Sequence, residues 1–180
     1  MKPVVLAVSG QIASGKSTLA LRLVEELNCA RASFGDFVRT IAMERGMEPN
    51  RENLQSIGAE LIALGWEPFC RAVLAHSNWK TGQLLVVDGV RHSEAVHELR
   101  KLVAPLRVFL IYLTVDDELR RGRLNERGNA YGAASVDNEA HPTESQVRGT
   151  LPNLADLLLD GTKPADALAL EVSAFLARIP

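Results

Sequence analysis

Cysteine, aromatic residues and surplus charge are all scarce in this 180-residue chain, and each scarcity closes off a class of function. Two cysteines, Cys29 and Cys70, are too few for a disulfide framework and lack metal-ligand spacing, so both are expected to be reduced, packed thiols. Aromatic residues make up 5% of the chain, and none interleaves with its arginine cluster, which argues against RNA binding. The formal net charge of −2 gives no global pull toward nucleic acid or an anionic membrane, so any basic site must be local. No apolar run approaches the roughly 20 residues of a membrane span. The apolar stretch in the opening MKPVVLAVSG is also too short for a secretory signal, so a cytoplasmic chain without a membrane partner is expected. Repeats and low-complexity segments are absent as well.

What is present is a core. With 47% hydrophobic residues, residues 1–180 suffice for a single domain with a sizeable interior. Apolar strand candidates fall at 4–8, 29–34 (a weak one), 84–88, 108–115 and 157–160. Helical patterns lie between them: GDFVRTIAMERG, PNRENLQSIGAELIALG, WEPFCRAVLAHSNW, SEAVHELRKLV and PADALALEVSAFLARI. Val96, Leu99 and Val103 share one helical face, as do Leu168, Val172, Phe175 and Ile179. Strands separated by helices predict a parallel sheet covered on both faces, with the ligand crevice at the strands' carboxyl ends.

The first strand runs into GQIASGKST, residues 10–18, which fits G-x-x-x-x-G-K-[ST], and a helix pattern follows. In that strand–loop–helix setting, glycines let the backbone turn tightly and aim its N–H groups at phosphate oxygens. Gly10, Ala13, Ser14, Gly15, Lys16, Ser17 and Thr18 are the candidate nucleotide-binding residues. Lys16 is expected to reach the β- and γ-phosphates and Ser17 to ligate Mg²⁺. The fold expected is α/β: a three-layer αβα P-loop NTPase fold with a mostly parallel five-stranded sheet and a short lid.

Two further absences narrow the class. In LLVVDGVR, Asp88 ends an apolar strand and suits an acid close to Mg²⁺, but the next residue is Gly89 rather than a water-activating glutamate, which argues against a motor ATPase. The N-K-x-D base-reading motif of GTP switches is missing too. Arg120, Arg121, Arg123 and Arg127 cluster in LRRGRLNERG, with 120, 123 and 127 on one helical face. RGNAYGAASVDNEAHPTES follows, about residues 127–145, with little apolar periodicity. A loop this long is usually functional or disordered, and a flap over the phosphates is expected, with a lid at about 120–145. His141 in it is a solvated histidine or a phosphate contact.

Several segments resemble those of nucleoside and nucleotide kinases. SFGDFVR (33–39) resembles the S-T-G-D-M-L-R segment of adenylate kinases, and VVDGVR (86–91) resembles their L-D-G-F-P-R, shortened by one residue. In that family both arginines grip the acceptor's phosphate, and the matching residues are Arg39 and Arg91. Independently of the resemblance, two guanidinium forks beside the crevice suit a phosphate dianion. ENLQSIGAEL (52–61) resembles L-Q-x-x-G-x-E of phage-type deoxynucleoside monophosphate kinases and dephospho-coenzyme A kinases. Gln55 there is a candidate to hydrogen-bond the acceptor's sugar or base, within an acceptor-binding helical region at about 35–80. The lid arginines Arg123 and Arg127 resemble those that stabilise the transferring phosphoryl group, and Asp160, Gly161 and Thr162 resemble an adenine-edge loop.

The resemblance implies transfer of the γ-phosphoryl of ATP, with Mg²⁺, to a small nucleotide acceptor, most simply a nucleoside monophosphate. Two alternatives stay open: a hydroxyl kinase of the dephospho-coenzyme A type, and a nucleotide-binding switch or ATPase. Asp36 is the residue that divides the first two. It serves as general base if the acceptor is a hydroxyl, binds the acceptor otherwise, or simply caps the helix it opens. The oligomeric state is not written in the sequence.

Overall fold

The computed structural model describes residues 2–131 and 147–179, with only the helical backbone described over 127–131. Its five strands are β1 (Val5–Gly10), β2 (Ala30–Ser33), β3 (Leu85–Asp88), β4 (Val108–Thr114) and β5 (Leu157–Asp160). They form one sheet in the order β2-β3-β1-β4-β5. Every pairing is parallel, so the expected mostly parallel sheet is wholly so. The weak candidate at 29–34 becomes β2, an edge strand.

The helices are α1 (Lys16–Leu27), α2 (Phe34–Glu44), α3 (Arg51–Ala63), α4 (Trp66–His76), α5 (Ser93–Leu102), α6 (Asp117–Tyr131), α7 (Leu151–Leu154) and α8 (Ala165–Ala177). Strand residues alternate between the sheet's two faces, and this splits the core in two. Val5 and Ala7 of β1, with Leu110 and Tyr112 of β4, face the layer that includes α2, α4 and α5. Leu6, Val8, Phe109, Ile111 and Leu113 face α1 and α8. The expected faces are realised: Val96, Leu99 and Val103 are buried on the first side, Leu168 and Val172 on the second. Burial pushes the Cys29 thiol up to about 11 and that of Cys70 up to about 12, which favours the protonated thiol in both.

One boundary differs from expectation. The segment from 127 was expected to be a loop, but α6 continues to Tyr131. Gly128 interrupts the sequence pattern without ending the helix, since a single interior glycine costs only about 1 kcal/mol against alanine. Most of the expected flap, with His141, lies outside the described residues, as does the side chain of Arg127.

The ends of β1, β2 and β3 define the crevice. Register aligns Val8 with Asp88 and Ser33 with Asp88, so the loop after β1, the start of α2 and the Asp88 turn meet at one edge.

Candidate active site

The loop between β1 and α1 is shaped by its backbone. Gly10, Ala13 and Gly15 all have positive φ, at 150°, 63° and 92°. A Cβ on Gly10 would lie 2.6 Å from Ser14 Oγ and 2.9 Å from the Leu113 carbonyl, so only glycine fits. Gly15 is the N-cap of α1, no side chain caps that helix, and no acid occupies its first turn. Its leading amides therefore keep their hydrogen-bonding capacity and dipole for an anion. Lys16 is 8% exposed, and its ammonium donates to the Gln11 carbonyl at 3.1 Å, folded back over the loop. The Ser14 hydroxyl is buried, with no hydrogen-bond partner among the described residues.

Ser17 and Asp88 come together across the crevice, the serine hydroxyl donating to Asp88 Oδ1 at 3.3 Å. Asp88 itself is 2% exposed. A hydroxyl and a carboxylate are the hard oxygen donors Mg²⁺ takes. Among the described residues no group of three or more His, Cys, Asp or Glu side chains forms a metal cage. Gly89, at φ 82°, turns the chain sharply after Asp88, and the Gly89 and Val90 amides both donate to the Val8 carbonyl. The buried Ser9 hydroxyl donates to the Val90 carbonyl at 2.6 Å, so the turn that leads to half-buried Arg91 is pinned to β1.

At the other part of the crevice the start of α2 is already filled. Ser33, not Asp36, is its N-cap, with the Ser33 hydroxyl accepting from the Asp36 amide at 3.2 Å. This corrects the capping alternative for Asp36: its carboxylate points instead at two arginines. Arg31 Nη1 donates to Asp36 Oδ2 at 2.6 Å, and Arg39 Nη1 donates to Asp36 Oδ1 at 2.7 Å. Partial burial pushes the Asp36 carboxyl up, but the hydrogen bond and charge of Arg31 and the charge of Arg39 outweigh it. The group is held below its ordinary value. Arg39 is thus engaged by a carboxylate one helical turn away. Gln55, half-buried, sits on α3, which packs on α2 and α4.

Arg31 was not among the residues singled out from sequence. Its other nitrogen, Nη2, donates to Asp88 Oδ2 at 2.6 Å. Burial alone lowers its affinity for a proton, yet the bonds to Asp88 and Asp36 more than reverse this, so it is a permanent cation. The only sequence signal was an arginine within the weak strand CARASF, a position that ordinarily reads as an edge-strand surface charge.

Arg123 lies between the phosphate loop and the turn after β5. Its guanidinium donates to the Gly161 carbonyl at 3.1 Å and to the Ala13 carbonyl at 3.3 Å. It walls a cavity of about 320 Å³ shared with Gly15, Thr18, Thr162, Pro164 and Leu168. Arg120 is 2% exposed and pairs with Asp117 at 3.0 Å, one turn back on α6. At the cavity's far wall, Asp160 accepts from the Thr162 amide and hydroxyl at 3.0 and 2.7 Å, which fixes the turn after β5. A Cβ on Gly161 would lie 2.8 Å from both the Ser14 and Thr114 carbonyls, so this turn touches the phosphate loop directly.

Residues 6–143 match a family model described as an AAA domain. The chain belongs to that family. This AAA-domain chain is also 30% identical, over 181 residues, to a UPF0200 protein of Pyrobaculum aerophilum, covering 97% of this chain and 98% of that one. A cytidylate kinase of Haloarcula marismortui is 52% identical over 44 residues, 24% of this chain and 23% of that protein. Among solved structures, the APS kinase of Mycobacterium tuberculosis in complex with AMPPNP and APS superimposes with a TM-score of 0.63 at 18% identity, covering 98% of both chains. The AAA-domain chain therefore has the three-layer α/β fold of the phosphate-loop kinase group, as its motifs implied.

Proposed function

We propose that the protein is a phosphotransferase that moves the γ-phosphoryl of ATP to a nucleoside monophosphate-type acceptor within one domain. Gly10, Ala13, Ser14, Gly15 and Lys16 hold the nucleotide's phosphates by backbone amides and ammonium, and Ser17 with Asp88 holds Mg²⁺. That cation, when bound, neutralises charge on the phosphates. The cavity beside Thr18 takes the base, packed between Arg123 and the Pro164–Leu168 wall. Arg123 thereby orients the nucleotide, and Arg127, one turn later on α6, is the lid arginine assigned to the transferring phosphoryl group. Asp36, Arg39, Gln55 and Arg91, within and beside the helical region at 35–80, form the acceptor side.

The observation that carries the acceptor class is the state of Asp36. A hydroxyl acceptor must lose its proton to a base, and a carboxylate clamped by Arg31 and Arg39 with a depressed pKa is a poor one. A phosphate acceptor needs no base. It needs cations, and Arg39 exchanging Asp36 for a phosphate supplies one beside Arg91. The cytidylate kinase likeness points the same way.

The test is ADP release from Mg²⁺·ATP with CMP, UMP, AMP, GMP, deoxynucleoside monophosphates and dephospho-coenzyme A as acceptors. Turnover with one monophosphate, raised well above the acceptor-free rate, is expected. Turnover with dephospho-coenzyme A alone would return Asp36 to the role of base. A slow rate indifferent to every acceptor would make the protein a nucleotide-binding switch.

A further inference from the structure

Arg31 connects two carboxylates that belong to different halves of the crevice. Asp88 ends β3 and faces Ser17 of the phosphate loop, while Asp36 sits in the first turn of α2 on the acceptor side. One guanidinium gives a separate nitrogen to each, Nη2 to Asp88 Oδ2 and Nη1 to Asp36 Oδ2, both at 2.6 Å. Its Nε is buried and has no hydrogen-bond partner among the described residues. The fork is therefore not paired bidentately with one acid, the usual strong arrangement, but stretched between two. The Asp88 side chain is 3% exposed and that of Arg31 22%.

Two carboxylate oxygens converging on one cation are what a divalent metal seeks. Here that place is taken by a cation that cannot dissociate and cannot lose its proton. The same contact leaves Asp88 Oδ1 turned toward the Ser17 hydroxyl, because Oδ2 is already bound. We propose that Arg31 is a positioning residue, the built-in counter-cation of the Asp36–Asp88 pair. It keeps divalent metal off the nucleotide-free crevice and holds Asp88 Oδ1 ready for metal that arrives with the nucleotide. The inference rests on reading Ser17 and Asp88 as the metal side, and it extends that reading to a residue that need never touch substrate.

The experiment is Mn²⁺ titration followed by its paramagnetic signal, with and without ADP, on wild type, Arg31→Met, Arg31→Lys and Arg31→Met/Asp36→Asn. Nucleotide-free wild type should bind Mn²⁺ weakly. Arg31→Met should bind it at least about tenfold more tightly, since two carboxylates lose the cation they share and only Arg39, on Asp36, remains. The double variant should return to the wild-type value. Arg31→Lys keeps the charge but lacks the fork, so it should still exclude free Mn²⁺ while binding Mn²⁺·ADP about tenfold or more weakly, the usual cost of losing a partner that orients a metal ligand. Equal nucleotide-free Mn²⁺ affinity in wild type and Arg31→Met would overturn the proposal. So would Arg31→Lys binding Mn²⁺·ADP as tightly as wild type, which decides the matter even if Arg31→Met does not fold. If wild type itself fails to bind Mn²⁺·ADP, the metal-side reading is what falls.

Discussion

Two helices start at the crevice, and they start in opposite ways. The N-terminus of α1 has a glycine N-cap, no capping side chain and no acid in its first turn. That of α2 is capped by Ser33, carries Asp36 in its first turn, and draws Arg31 and Arg39 onto that acid. The α1 side, the donor side of the proposed function, is thus pre-organised, with backbone amides open to an anion and the contacts of Lys16 with Gln11 and Ser17 with Asp88 to give up. The α2 side, the acceptor side of the proposed function, is self-neutralised, and an anion binding there would exchange with Asp36 for Arg39. Preorganisation gives affinity by lowering the ordering cost of binding, while exchange gives selectivity, because only a ligand that replaces the lost ion pair is accepted.

Lys16→Ala attacks the pre-organised side and should have the largest effect. Phosphoryl transfer is expected to fall by at least about a hundredfold, since a fixed cation at the phosphates is among the principal stabilisers of such a reaction. Arg39→Ala attacks the exchanging side. It should raise the acceptor's KM by about tenfold, the scale of one charge-assisted hydrogen bond, and leave the KM for ATP unchanged. Steady-state kinetics with both substrates varied checks both. An equal loss in KM for ATP in Arg39→Ala would mean that the two sides are not separate.

Gly161→Ala should come next, because it presses the turn after β5 into the loop that holds phosphate. Its new Cβ would meet two backbone carbonyls at 2.8 Å, and neither can move as a flexible side chain does. Calorimetric titration with ADP is expected to show binding weakened by about tenfold, as the cavity wall shifts against Arg123. Gly58→Ala, with nothing within 4 Å of its Cβ, is the control and should bind ADP normally.

The same contrast explains what could be read from sequence. The donor loop was legible because it is made of local backbone geometry, and glycine positions announce that geometry within nine residues. The five strands and the faces of α5 and α8 were legible because burial repeats with the period of each element. The acceptor side was harder. Arg39 and Arg91 are visible as residue types, but Arg31, Asp36 and Asp88 form one ion network only because β2 pairs with β3 in a register that sets Ser33 against Asp88. No short-range pattern encodes that pairing. Arg123 was visible within an arginine cluster, yet its direction depends on how α6 packs over Gly161, a partner 38 residues away.

A smaller effect tests the self-neutralised side by acid. Because the folded-state pKa of Asp36 is lowered, its ion pairs contribute stability above the ordinary value of 3.8, and that contribution is lost as pH falls through the lowered value. Asp36→Asn should therefore be less stable than wild type at neutral pH, with the gap closing in acid. Urea unfolding across the range from neutral to pH 3 checks this. A gap that persists unchanged in acid would show that Asp36 acts through packing and not through its charge.

Ala13→Gly should be the smallest effect, and it returns to the pre-organised side. Ala13 holds φ at 63° inside the phosphate loop, a conformation that costs an L-residue about 1 kcal/mol or more. Glycine relieves that strain but adds roughly 0.5–1 kcal/mol of unfolded-chain entropy, so the two terms nearly cancel in stability. Binding need not cancel in the same way. If alanine narrows the loop's conformations toward the phosphate-holding one, glycine should leave the urea midpoint within error yet weaken ADP binding by about two- to threefold. Tighter ADP binding in Ala13→Gly would instead mean that the loop must open further to accept phosphate, and that the contrast between a ready donor side and a guarded acceptor side is one of degree.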